Sequence, residues 1–397
     1  MIICPHDQCT GCAACLNSCS HNAIKMVQGI NGHLYPEVND DVCVGCKLCV
    51  NICPNNHLPE YHKNMAAYIA TAIDSDEAKT STSAGIATVF SRFIIRQGGV
   101  VYGSSGIDCT HIHHIRVNSE HELYKIKGSK YVHSAIEDIL LKVKTDLKIG
   151  LKVLFIGTPC QVSGLLSYLR KPYDNLYTID FVCHGVPSQQ ILTDCIIACL
   201  PNENPSKIDL KFRIKEKGKS RYGLFAFDKD GKTLYRSLFP DNGYITGFLY
   251  GLFYRESCYQ CHFTRPERVS DLTVGDYWDR EHQINLVNSS EGLSMLAINT
   301  EKGSVLVNKC DGMIMKNPYD YSQLVIRNGQ LSHPIKKHSR YETFKRDYIE
   351  KGALLAINGN IKNDVKRIKR NLFLIKISHI VYQIPGLNKL YRILRSL

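Results

Sequence analysis

Eight cysteines near the N-terminus fall into two runs of one spacing. Cys9, Cys12, Cys15 and Cys19 read C-x2-C-x2-C-x3-C; Cys43, Cys46, Cys49 and Cys53 repeat it, and Pro54 closes the second run. Thiolates are soft ligands suited to iron–sulfur clusters. In this spacing the fourth cysteine of each run ligates the cluster of the other run. The expected sets are therefore Cys9, Cys12, Cys15 and Cys53 on one 4Fe–4S cluster, and Cys43, Cys46, Cys49 and Cys19 on the other. Gly11 and Gly45 let the backbone turn tightly around them. Zinc is the competing metal, but it usually takes its ligands as two separated pairs rather than two runs of four. Ser20 stands where the second run has Pro54, and Cys4 lies outside the pattern.

Eight further cysteines follow: 109, 160, 183, 195, 199, 258, 261 and 310. Cys195 and Cys199 sit among Ile191, Leu192, Ile196, Ile197 and Leu200, the apolar face of a helix, where cysteine packs as a small hydrophobe. Cys109 and Cys310 are isolated. Cys160 and Cys183 each follow the C-terminal end of an expected strand, the rim where open α/β sheets bind ligands. Cys258 and Cys261 form a C-x2-C. Two rim cysteines and one such pair supply the four ligands of a third 4Fe–4S cluster; a structural zinc would accept the same four.

The elements that must position these residues alternate after about residue 66. Ala67–Ala72, Val100–Tyr102, Lys152–Ile156 and Leu176–Val182 read as strands. Ile86, Val89, Phe90, Phe93 and Ile94 recur at helical spacing, and Glu137–Leu147 and Val162–Leu169 are further helices. The expected fold is an α+β ferredoxin module followed by an α/β domain with a mostly parallel central sheet. Asp230–Gly231 marks a hairpin turn within residues 208–240. Expected units are residues 1–60 for the two-cluster module, 65–345 for the α/β domain and 346–397 for a basic helical tail. Asn55–Asn64 is a polar linker.

With 397 residues, 44% hydrophobic and 22% charged, the chain is long enough for two or three units with an ordinary globular core. No signal peptide is evident, so the 17 cysteines suit a reducing cytoplasm better than a disulfide framework. The net charge of +12 could suggest nucleic acid, but residues 362–397 carry nine Lys or Arg against Asp364 alone. The remainder is nearly balanced, which argues against a nucleic-acid partner. The basic segment mixes these charges with Ile, Leu and Phe, as an amphipathic helix on an anionic membrane surface would.

One-electron clusters need a converter to act on most organic substrates, and a flavin is the usual one. Neither G-x-G-x-x-G nor G-x-x-x-x-G-K is present. The turn Ser81–Gly85 before a helix could offer N–H groups and hydroxyls to a pyrophosphate, or could simply cap the helix. Taken together, Ser81–Gly85, Gly99–Gly103, Gly128–Tyr131, Gly157–Gln161, Asp180–Gly185, Ser257–Cys261 and Asp271–Trp278 resemble the coenzyme F420 hydrogenase/dehydrogenase beta subunit over residues 66–300. The resemblance implies an FAD-containing oxidoreductase with one 4Fe–4S cluster on Cys160, Cys183, Cys258 and Cys261. It implies that Ser81, Thr82, Ser83, Gly85, Lys130, Tyr131 and Thr158 surround the flavin. The electron partner could be ferredoxin, NAD(P)H or a deazaflavin, and the substrate a small molecule, as in bacterial sequences associated with polysaccharide biosynthesis. A non-catalytic electron-transfer subunit is the other reading. Arg255, Arg265 and Arg268 could meet an anionic substrate or be surface charges.

Overall fold

The computed structural model describes residues 1–216, 219–277 and 286–383. Trp278 of the last motif and the 387–397 part of the basic tail lie outside the described residues.

The N-terminal module consists of α1 (Ala14–Ser18), β1 (Ile24–Gln28), β2 (Leu34–Val38) and α2 (Leu48–Asn51). The two strands form an antiparallel pair with Ile24 opposite Val38. Each short helix begins from a left-handed residue, Ala13 and Lys47, so the backbone reverses tightly just beyond the second cysteine of each run. The linker is pinned to the main domain: His62 N–H donates to Arg268 O (2.7 Å) and Arg268 N–H to His62 O (2.9 Å).

The main domain runs β3 (Ala66–Ala72), α3 (Ser75–Thr80), α4 (Ile86–Arg96), β4 (Val100–Ser105), β5 (His113–Val117), α5 (Ile139–Lys148), β6 (Val153–Gly157), α6 (Pro159–Leu169), β7 (Leu176–Phe181) and α7 (Gln189–Cys199). Then come β8 (Asp209–Glu216), β9 (Lys219–Phe227), β10 (Thr233–Leu238), α8 (Gly243–Leu249), β11 (Leu272–Asp276), β12 (Ser294–Ile298), α9 (Glu301–Lys309), β13 (Ile314–Pro318), α10 (Tyr321–Arg327), α11 (Tyr341–Lys351) and α12 (Ala353–Gln383). In α4, Ile86, Val89, Phe90 and Ile94 are buried, the stripe their 3.6-residue spacing demands.

Eight strands form one sheet in the order β13-β3-β12-β11-β7-β6-β4-β5. The expectation of a mostly parallel sheet is corrected. Only β4–β6, β6–β7 and β7–β11 are parallel, whereas β4–β5, β11–β12, β12–β3 and β3–β13 are antiparallel. The parallel centre is where helices α5 and α6 cross over between strands; at one margin β3 is inserted antiparallel between β12 and β13, which α9 connects. The hairpin around Asp230–Gly231 is present as β9–β10, and β8 extends it into a separate three-stranded antiparallel sheet.

Residue 346 falls inside α11, and α12 is body for its first half: Ala353, Ala356, Ile357, Ile361 and Ile368 are buried. From Lys369 to Ile375 every residue is exposed, and Leu372, Phe373, Leu374 and Ile375 all face solvent.

Candidate redox site

The structure gathers the N-terminal cysteines in the combination the crossed ligation requires. Cys9, Cys12, Cys15 and Cys53 line one small cavity; Cys19, Cys43, Cys46 and Cys49 line another. We call these the inner and outer sets. Cys4, outside the spacing pattern, also lines the inner cavity. Its thiol sits among the sulfurs of Cys9 and Cys53, an interaction that lowers their thiols and raises its own. Burial pushes Cys12 up to about 12 and raises Cys15 as well. The outer set is closer to water, with Cys46 exposed.

The third set comes from three separate places. Cys160 is the second residue of α6, directly after β6. Thr158 and Gln161 form a reciprocal capping box at that helix start, and Thr158 Oγ1 lies 3.1 Å from Cys160 Sγ. Cys183 follows the end of β7, the strand beside β6. Cys258 lies within the short 3-10 turn Glu256–Gln260, and Cys261 follows it directly. The segment after that turn is tied to β7 by a buried ion pair: Arg268 Nη2 sits 3.1 Å from Asp180 Oδ1, and Thr273 Oγ1 donates to the same oxygen at 2.7 Å.

The four sulfurs of this set lie close enough to act on one another. Burial first, and the Coulomb effect of Cys258, Cys160 and Cys261 next, drives the Cys183 thiol well up. Cys258 and Cys261 are each pushed up to about 12, again by burial and then by a neighbouring thiol, and burial raises Cys160. Partly buried thiols whose ionisation is opposed in this way become thiolates more readily when cationic charge is placed among them, which is what iron would supply. Among the described residues, no three His, Cys, Asp or Glu side chains converge on the position of a single metal ion.

Inner and third sets adjoin. Gly164 of α6 faces Cys12 so closely that a Cβ there would stand 2.7 Å from Cys12 Cβ and 2.9 Å from its Sγ. From the other side, Arg255 Nη1 donates to Cys9 O (3.1 Å) and Ser257 Oγ to the same oxygen (3.0 Å). Both readings of the flanking arginines as substrate or surface charges are corrected for Arg255 and Arg268, which are 1% and 2% exposed. Arg265 is partly exposed and pairs with Glu267 at 2.9 Å.

The expected flavin residues divide into two groups. Ser81, Thr82, Ser83 and Gly85 form the loop entering α4, and Gly85 caps it in a left-handed conformation without any side-chain cap. Thr82 Oγ1 accepts the Ser129 N–H (2.9 Å), which brings the Gly128–Tyr131 loop alongside. Lys130 Nζ donates to Lys127 O (2.8 Å), and desolvation lowers its ammonium to about 7. Two cations that sequence reasoning missed complete this end. Lys127 reaches Glu77 Oε1 (2.6 Å) and Thr80 Oγ1 (2.7 Å), and Lys215 donates to Ser83 O (2.7 Å). Lys127 lies one residue ahead of the Gly128–Tyr131 motif, a usable signal; Lys215 arrives from β8 and left none. Tyr131 stacks on Phe248, ring centroids 4.6 Å apart. Thr158 belongs instead with Cys160, at the third set.

Comparison with known families matches two stretches of the chain. Residues 150–320 match the family formed by the C-terminal region of the beta subunit of coenzyme F420 hydrogenase/dehydrogenase, and residues 8–57 match the 4Fe-4S dicluster domain. The beta-subunit match lies C-terminal to the dicluster match. Cys160, Cys183, Cys258 and Cys261 all lie within the beta-subunit match, and both N-terminal runs within the dicluster match. The chain is similar to a coenzyme F420-dependent sulfite reductase of Methanocaldococcus jannaschii, 24% identical over 233 residues. That alignment covers 56% of this chain and 34% of the reductase, so the chain spans about a third of that relative's length. A chain of the F420-reducing NiFe hydrogenase complex of Methanosarcina barkeri superposes with a TM-score of 0.48 at 16% identity, covering 73% of this chain and 94% of that one.

Proposed function

We propose that the chain is an iron–sulfur flavoprotein that passes electrons between a redox partner and a bound flavin through three 4Fe–4S clusters. The observation that carries this reading is the contact of the inner cysteine set with the third. The Cys12–Gly164 approach and the Arg255–Cys9 hydrogen bond support their lying side by side, whereas the outer set reaches solvent at Cys46. When bound, the clusters carry single electrons and the flavin converts between one- and two-electron chemistry.

The chain's own residues have separable tasks. Inner, outer and third sets hold iron, with the outer set at the surface where a partner can approach. The Ser81–Gly85 loop, with Lys127, Lys130 and Lys215 around it, offers N–H groups, hydroxyls and cations to the anionic part of FAD. Tyr131 offers a ring for stacking. Coenzyme F420 is the partner we favour for electron exchange, because it appears in the names of both the matched family and the sulfite reductase relative. A non-catalytic role as one electron-transfer unit of a larger enzyme is the second reading, and the match to a third of a longer reductase favours it.

Anaerobic purification with iron, sulfide, zinc and flavin analysis tests the proposal. Three clusters require about 12 irons per chain and the ferredoxin module alone about 8. The expected result is the larger figure with one FAD per chain; zinc without flavin would refute it. Addition of reduced coenzyme F420 should then bleach the flavin and cluster absorbance together.

We further propose that the end of α12 rests on an anionic membrane surface. Lys366, Arg367, Lys369 and Arg370 are exposed just before Leu372, Phe373, Leu374 and Ile375, which are exposed as well. Consecutive exposed apolar side chains behind a cationic collar suit the lipid interface. No helix among the described residues is long and apolar enough to cross a membrane.

A further inference from the structure

Arg255 is the largest side chain in the fold that is almost wholly buried with no anionic partner found among the described residues. It is 1% exposed, and no carboxylate among the described residues pairs with it. Nη1 donates to Cys9 O (3.1 Å), Nη2 donates to Leu34 O (2.6 Å), the guanidinium lies 4.6 Å from the centroid of the Tyr35 ring, and Nε has no hydrogen-bond partner. Adjacent Glu256 is occupied elsewhere, with Tyr341 Oη at 3.2 Å and Lys345 Nζ at 3.7 Å. Arg268, the other buried arginine beside the C-x2-C, is unlike it in having Asp180. A buried charge left unpaired is strongly unfavourable, so Arg255 calls for negative charge that no carboxylate around it provides and that cysteine thiolates would.

Where that charge would come from is fixed by how the residue is strung between the two cysteine sets. The Arg255 backbone belongs to the third: its N–H donates to Val186 O (3.0 Å), in the loop after Cys183, and its carbonyl accepts the Cys258 N–H (2.9 Å). Its side chain crosses to the inner set, ending on the Cys9 carbonyl and beside Gly11, where an added Cβ would meet Nη2 at 2.7 Å. One residue thus touches both sets, its guanidinium on the Cys9 loop and its backbone bonded to the Cys183 and Cys258 loops, and none of its hydrogen bonds reaches an outer-set cysteine.

We propose that Arg255 is the shared counter-ion of the inner and third clusters, a positioning residue that raises the reduction potentials of both and leaves that of the outer cluster alone. A cluster held by four thiolates is anionic and becomes more so on gaining an electron, so a fixed cation beside it favours the reduced form. Because one guanidinium serves two clusters, the potentials it sets move together. A lone arginine at a single cluster would not have that property. Arg255 also donates to a backbone carbonyl of the inner loop, so the same side chain holds the two sites at fixed separation.

The proposal rests on the three-cluster reading, and the test keeps the two apart. Iron and sulfide are first quantified in the wild-type holoprotein; a wild-type protein without the third cluster defeats the underlying reading whatever Arg255 does. The three reduction potentials are then measured by EPR-monitored redox titration in wild type, Arg255→Gln and Arg255→Lys. For Arg255→Gln we expect negative shifts of the inner and third clusters with the outer one unmoved. Unchanged potentials at full iron content, or an equal shift of all three, would overturn the assignment. If Arg255→Gln fails to assemble, Arg255→Lys decides, because it keeps the charge and alters its position. Full iron with the inner and third potentials displaced together supports the shared counter-ion; displacement of only one of them, or of neither, overturns it.

Discussion

Replacing Gly164 by alanine tests whether the inner and third sets are in contact. The methyl would stand 2.7 Å from Cys12 Cβ, 2.9 Å from its Sγ and 3.3 Å from its carbonyl oxygen. Carbon–carbon contact is comfortable only at about 3.5–4.0 Å, so α6 and the Cys12 loop must part by roughly 1 Å. Overpacking of this kind costs about 1–3 kcal/mol. Alanine is the better helix former by about 1 kcal/mol, which offsets part of that. The net effect is about 0–2 kcal/mol of destabilisation, concentrated at one cluster ligand. Gly359→Ala is the matched control, because in α12 the added methyl meets nothing within 4 Å and only the helix-forming gain remains. Both variants are purified anaerobically, analysed for iron and sulfide, and unfolded in urea. Gly164→Ala should lose up to the inner cluster's share, about 4 of 12 irons, keep the outer cluster, and unfold at lower urea than Gly359→Ala. Full iron and a midpoint raised as far as that of Gly359→Ala would refute the packing argument.

Arg268→Met leaves Asp180 buried and unpaired, and should cost about 3–5 kcal/mol, read as a lowered denaturant midpoint. Thr158→Ala removes one half of the capping box at α6; we expect about 1 kcal/mol of lost stability and faster iron release from the third set to a chelator. Lys130 titrates near 7 in the fold against an ordinary 10.5, so between those values the unfolded chain holds the extra proton and stability rises with pH. In flavin-free protein, Lys130→Met should flatten that slope across pH 7 to 10.5; an unchanged urea-midpoint profile would remove the desolvation argument. Exchanging Leu372, Phe373, Leu374 and Ile375 for serine should abolish co-flotation with phosphatidylglycerol vesicles, and wild-type protein should ignore phosphatidylcholine vesicles. Equal flotation of both proteins would exclude the tail as the anchor.

The metal-binding chemistry was legible in the sequence because cysteine spacing encodes it directly. Both N-terminal sets gather in the crossed arrangement that the two runs require. The third set was legible more indirectly, from cysteines placed just after expected strands. What the sequence could not convey was environment. Arg255 and Arg268 look like surface charges because a sequence shows a cation and not what surrounds it; their partners Cys9 and Asp180 are far away along the chain. The antiparallel margins of the sheet were hidden for a related reason: strands as short and apolar as β12 read alike in either direction. Cys4 was passed over because its relation to Cys9 and Cys53 is one of fold, not of spacing. The split of the expected flavin residues, with Thr158 at the cysteines and Ser81–Gly85 among lysines, likewise depends on which loops meet.

The unequal depth of the two ferredoxin sets bears on how the protein would age in air. Cys46 is exposed, with Val44 beside it 61% exposed, whereas Cys9, Cys12 and Cys53 are buried beneath the main domain. Oxidants and chelators therefore meet the outer set first, and corrosion should proceed inward, one cluster at a time. On the three-cluster reading proposed above, a preparation handled carelessly would then keep its inner and third sets loaded while losing the outer one, and with it the route by which a partner would deliver electrons.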